Sequence, residues 1–165
     1  MHALHKILLL AKELDDNELI SEAGYIVEDY PDTHDYYSTL EESWHFDNKE
    51  FPKGVIRDSE TILKLLDGVK EEQQENIKYN MSILNRLYGK DFTVKYMLNN
   101  ENDDTLHCMP WYYLRCICER QEGKYTWDSL FLDSTWPTSL VRDELIDDIK
   151  LNPNKYAIVL LDLHI

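Results

Sequence analysis

The sequence predicts an α+β fold: a small mixed sheet of about four strands, with the terminal strands central, packed by about four to five helices. Three observations predict it. The short apolar run ending in Ile7-Leu8-Leu9-Leu10 reads as a strand, although pattern alone does not separate such a run from a helical segment. Tyr156-Ala157-Ile158-Val159-Leu160-Leu161 near the end is apolar at every position, as a strand covered on both faces is. Between them lie segments with a helical period. The two kinds of element do not alternate strictly, which sets the chain apart from a doubly wound sheet.

Taken in order, residues 1–10 read as a strand. From Asn17 the period changes: Leu19, Ile20, Ala23, Ile26, Val27 and Tyr30 share one helical face, Glu18, Glu22, Tyr25 and Asp29 share the other, and Pro31 stops the helix. Residues 32–54 mix acids with aromatics at weak periodicity; a short helix over 35–44 and loop elsewhere are expected. Residues 58–88 read as helix, capped by Asp58 or Ser59 and stopped by Gly89. Ile62, Leu63, Leu65, Leu66 and Val69 form one stripe and Ile77, Met81, Leu84, Leu87 and Tyr88 a second, with Gly68 as a break between them. Alternation at Phe92, Val94, Tyr96 and Leu98 predicts a strand, followed by a polar turn over 99–105. Pro110 suits the first turn of a helix that runs to Gln121 and closes at Gly123. A strand is expected over 125–132. A helix capped by Thr138 or Ser139 follows, with Leu140, Val141, Leu145 and Ile149 inward and Asn152-Pro153 as its end.

The chain has 165 residues, of which 43% are hydrophobic and 12% aromatic, with only five glycines and five prolines. That composition excludes disorder and low complexity and suits one domain, with an acidic helical and loop region at about 13–54. Neither an internal repeat nor a Ser/Gly-rich linker is visible. Apolar runs are too short for a signal sequence or a membrane span, and three cysteines (Cys108, Cys116, Cys118) imply no disulfide framework, so a cytoplasmic protein is expected.

Charge is the strongest clue to function. With 17 Lys+Arg against 32 Asp+Glu the net charge is −15. Such a balance argues against direct binding of nucleic acid, which needs basic surface to displace counterions. The charge is concentrated: residues 13–50 hold thirteen acids and one base, 1 − 13 = −12, whereas residues 61–100 hold five acids and six bases, 6 − 5 = +1. A single-sign field of this density stores self-repulsion. One explanation is a solvated, solubilising face. The sharper one is a surface that docks on a basic groove of a protein in place of nucleic-acid phosphates. Aromatics among the acids favour the second, because rings stack on arginine and fill apolar gaps at an interface. The expected binding face comprises Glu22, Tyr25, Asp29, Asp32, Asp35, Tyr36, Tyr37, Glu41, Glu42 and Trp44.

Signals for chemistry are weaker. His2 and His5 open the chain, and Asp162 and His164 end it. With the terminal strands as neighbours these form an alternative metal site, although the spacing puts His2 and His5 on opposite faces while Asp162 and His164 share one. Polar strand ends explain the same residues without a metal. His107, Cys108, Cys116 and Cys118 lack a Cys-x-x-Cys pair, and on a helix Cys116 and Cys118 stand about 200° apart, so buried structural thiols are expected. Asp128 and Asp133 flank an expected strand and suit acid–base or Mg²⁺ work only as two of many acids. Gly-rich phosphate loops, Gly-x-Ser-x-Gly and His-Glu-x-x-His are all missing from the sequence, so neither catalysis nor a cofactor is expected.

Met1-His2-Ala3-Leu4-His5-Lys6-Ile7-Leu8, Tyr125-Thr126-Trp127-Asp128-Ser129 and Tyr156-Ala157-Ile158-Val159-Leu160-Leu161-Asp162-Leu163-His164 resemble small uncharacterised proteins carried by phages and mobile elements of Firmicutes. The resemblance implies a genomic neighbourhood, one in which small acidic proteins include anti-CRISPR and antirestriction inhibitors of host defence. The resulting expectation is a non-enzymatic, acidic inhibitor of a defence nuclease, acting by charge mimicry, with no membrane or direct nucleic-acid partner. A metal-dependent enzyme using the terminal His/Asp residues with Asp128 or Asp133, and a self-associating accessory protein with an aromatic homodimer seam, are the competing expectations.

Overall fold

The computed structural model describes residues 1–11, 13–46, 51, 53–89, 110–126 and 129–164. The expected strand at 92–98, the turn at 99–105, and His107, Cys108, Trp127 and Asp128 lie outside the described residues. The chain forms two compact units, one of Met1–Lys70 with Lys124–Ile165 and one of Glu71–Gly123.

The first unit is built on a five-stranded mixed sheet. Its two inner strands are β1 (His2–Leu10) and β5 (Tyr156–His164), antiparallel and paired from His2↔His164 to Leu10↔Tyr156. β4 (Phe131–Asp133) runs parallel to β1 on one side. On the other side of β5 lie β2 (Tyr36–Thr39) and β3 (Val55–Ile56), both antiparallel to it. The terminal strands are therefore central, as the apolar runs predict. Their side chains alternate between two covered faces, which is why both strands read as continuous hydrophobic runs.

One face carries Leu8, Phe131, Ile158 and Leu160, covered by Ile62, Leu66 and Val69 of α2 (Ser59–Tyr88) and by Leu145 and Ile149 of α4 (Asp143–Leu151). The other carries Ile7, Leu9, Leu132, Val159, Leu161 and Leu163, covered by Leu19, Ala23 and Val27 of α1 (Asp16–Glu28). Each fully buried Leu or Ile contributes about 1.5–3 kcal/mol relative to exposure, so the two covers hold the sheet in place from both sides. The amino end of α1 is closed by a capping box: Oδ1 of Asp15 accepts from the backbone N–H of Asn17 and Glu18 at 2.8 and 3.0 Å, and the Asp15 N–H donates to Glu18 at 2.7 Å.

Four sequence expectations are corrected. Residues 36–39 form β2 and not part of a helix, because Tyr-Tyr-Ser-Thr has strand character and β5 offers it a free edge. Among the described residues of 125–132, strand structure is confined to β4; Thr126 and Ser129 instead bond each other, through Ser129 N–H to the Thr126 carbonyl at 2.9 Å and Thr126 N–H to Ser129 Oγ at 2.8 Å. α4 begins at Asp143, since Thr138 is bridged to Asp133 and the Ser139 hydroxyl donates to the Lys124 carbonyl at 3.1 Å. Gly68 makes no break: α2 is continuous through it.

In the second unit, α2 runs to Tyr88 and is stopped by Gly89 with a φ of +83°, and α3 (Pro110–Glu122) closes at Gly123 with a φ of +72°. On α3 Cys116 is half-buried and Cys118 is exposed, so these two of the three thiols are not the buried groups expected. Among the described residues no helix is long and apolar enough to cross a membrane.

Candidate functional site

Two features stand out in the first unit. The first is a cluster of rings and carboxylates. Antiparallel register sets His2 opposite His164, and Tyr36 beside His164 in β2. One row further in stand Leu4, Asp162 and Ser38. Asp162 is buried, 2% exposed, and both of its oxygens are occupied: Oδ1 by His2 Nδ1 at 3.0 Å, Oδ2 by the Ser43 hydroxyl at 2.6 Å. A carboxylate only accepts, so Nδ1 of His2 donates.

The rings are layered. His45 lies on His2 with centroids 3.6 Å apart and planes 25° from parallel, and Tyr36 lies on His164 at 4.6 Å and 11°. His2 and His164 meet edge to face at 4.9 Å. Asp35 places a carboxylate oxygen 3.5 Å from His164 Nδ1. The cluster thus ties the chain after β2 to the end of the central strands.

His2, Asp162 and His164 are brought together as the spacing predicts, but His5 is not among them. It points to the opposite face, fully buried, with Nδ1 2.6 Å from the Tyr125 hydroxyl. Burial, and then Tyr30, push the Tyr125 hydroxyl far above its ordinary value. Among the described residues no three His, Cys, Asp or Glu side chains are placed to hold a metal ion. Asp133, the other described acid of the alternative reading, is buried and bonded to Arg142 at 2.8 Å, with the Thr135 hydroxyl and N–H on its other oxygen. Sequence reasoning missed Ser43 and His45. Their spacing of two, either side of Trp44, was the available signal.

The second feature is the acidic, aromatic-bearing stretch itself, whose residues lie on α1 and along the chain that follows it. Nine of its ten expected residues are exposed: Glu22 and Tyr25 on α1, Asp29 at its end, Asp32 in a 3₁₀ turn, Asp35 and Tyr36 at the start of β2, and Glu41, Glu42 and Trp44 in the turn after it. Tyr37 is half-buried across α1, where its hydroxyl donates to Glu28 at 3.3 Å. Burial, then the Glu28 carboxylate, raise the Tyr37 hydroxyl above its ordinary value. In this stretch Asp16 is paired with a cation, Arg57, at 2.9 Å. Among the described residues no Lys or Arg pairs with Glu22, Asp29, Asp32, Glu41 or Glu42.

No known protein family, curated protein or solved structure matches this chain.

Proposed function

We propose that the protein is a non-enzymatic binding protein whose acidic, aromatic-bearing face docks on a basic surface of a protein partner. The observation that carries this reading is the exposure of Glu22, Asp29, Asp32, Glu41 and Glu42 without a cationic partner among the described residues, interleaved with exposed Tyr25, Tyr36 and Trp44. Like charges at this density along the chain cost stability in the isolated protein, and a basic partner offsets that cost on binding. A purely solubilising face has no use for exposed rings, whereas an interface uses them as its anchors.

The resemblance to phage and mobile-element proteins makes the partner a host defence nuclease of the anti-CRISPR or antirestriction target class, whose nucleic-acid groove supplies the basic surface. The face then takes the place of phosphates, and no membrane or nucleic acid is bound directly. Binding of this kind weakens as salt rises, because exposed pairs are screened beyond a Debye length of about 8 Å at physiological ionic strength.

Capture from a host lysate at low and high salt, followed by a cleavage assay with the captured nuclease, tests the reading. Reversing Asp29, Asp32, Asp35, Glu41 and Glu42 to lysine abolishes capture and inhibition while the thermal midpoint shows a folded protein. Undiminished inhibition by that folded variant overturns the reading.

A further inference from the structure

We infer that Trp44 is the anchor of the acidic face and that it receives an arginine side chain of the partner, an inference that rests on the docking reading above. Trp44 is 96% exposed. Yet both of its neighbours are fastened: the Ser43 hydroxyl bonds buried Asp162, and the His45 ring lies on His2. The indole is therefore held outward, and not simply left on a loose tip. Keeping an indole in water forfeits the favourable free energy of covering it, so an indole fixed in that position is arranged for something that covers it. Large aromatic side chains that become covered on association are the commonest centres of interface energy.

The surroundings choose the occupant. Glu41 and Glu42 precede Trp44 in the same turn, and the Thr39 hydroxyl donates to Glu42 Oε2 at 3.0 Å, steadying one carboxylate. Tyr36, 54% exposed and stacked on His164, supplies a second ring at the other end of β2, next to Asp35. An apolar occupant would strip water from these carboxylates with nothing in exchange. A second copy of this chain would bring the same negative field against itself. An ammonium group meets a carboxylate as a point charge and does not stack. A guanidinium does both: its plane lies on the indole while its N–H edge donates to a carboxylate.

Octa-arginine and octa-lysine, equal in length and charge, serve as probes against the full chain, with binding followed by calorimetry at physiological ionic strength. The expected result is tighter binding of octa-arginine by about fivefold. Trp44→Leu brings the two peptides to within about twofold of each other, and Trp44→Phe, which keeps a ring, retains part of the preference. Trp136→Leu, at an exposed indole stacked on the protein's own Arg142, leaves it intact. Equal affinity of the two peptides for the native chain, or a preference that survives in Trp44→Leu, overturns the inference. If the peptides bind equally and the five-site lysine reversal abolishes both, the arginine anchor fails while the acidic face stands. If that reversal leaves both peptides bound as before, the acidic face fails as well.

Discussion

The Ser43 hydroxyl donates to Oδ2 of Asp162 at 2.6 Å, joining a surface turn to the buried end of the last strand across 119 residues. A hydrogen bond to a charged group contributes about 1.5–3 kcal/mol when its partner would otherwise be stranded in the interior. Ser43→Ala therefore lowers the urea unfolding free energy by about that amount, with the slope unchanged. Amide exchange over 40–46 should speed up at the same time, and Ser43→Thr, which keeps the hydroxyl, should recover part of the loss. Native-like exchange in Ser43→Ala would show that the turn is held by other means.

Two glycines give opposite expectations for the same substitution. Gly54 has a φ of +69°, and a Cβ there would come 2.9 Å from Leu40 Cβ and 3.0 Å from the Leu160 carbonyl oxygen, beside the 2.7 Å bond from Leu160 N–H to the Gly54 carbonyl. Gly54→Ala costs about 2 kcal/mol or more through strain and crowding. At Gly68 a Cβ meets nothing within 4 Å, inside a continuous helix. Gly68→Ala stabilises by about 0.5–1 kcal/mol. Calorimetric midpoints of the two variants should shift in opposite directions.

Gly24 lets Tyr37 lie directly on α1. A Cβ at residue 24 would stand 2.5 Å from the Tyr37 hydroxyl oxygen, so Gly24→Ala must turn the phenol away and break its bond to Glu28. The expected readout is a fall in the Tyr37 titration midpoint, measured by absorbance difference against Tyr37→Phe, since burial and Glu28 are what raise it. An unaltered midpoint would mean that the ring keeps its seat.

Acid stability should carry the mark of Asp148. Its carboxylate accepts from Lys155, at 2.5 Å, from Tyr156 and from Asn152, and these bonds, Lys155 first, hold its pKa at about 2 against an ordinary 3.8. A depressed carboxylate contributes stability that is present above the unfolded value and lost as pH falls through the folded one. The native chain therefore loses stability between about pH 4 and 2 more steeply than Asp148→Asn, whose amide has no proton to gain. Parallel acid limbs for the two proteins would contradict this.

Much of the architecture was legible because the central strands are apolar on both faces, and Ile7–Leu10 and 156–161 show that directly in one dimension. β2 was not legible. Tyr36–Thr39 has no periodicity of its own to distinguish strand from helix, and pairing with 161–164 decides it. The late start of α4 was hidden for a similar reason: Thr138 and Ser139 look like caps, and their hydroxyls serve contacts with segments distant in sequence or in the turn before the helix. At the candidate site the exposed acids followed from composition alone. His45 and Ser43 did not, because their roles depend on which strand end the turn folds back upon.

β1 and β5 meet with His2 and Asp162 separated by 160 positions along the chain. During synthesis, β1 can meet β4 only after residue 133 has emerged, and it gains β5 on its other side only when residues 156–164 have left the ribosome. Long-range pairing of this kind is entropically late and slows folding. It also leaves a strand edge open to other nascent chains. The protein's yield in a cell is therefore expected to depend on chaperone capacity and translation speed more than the stability of its finished core would suggest.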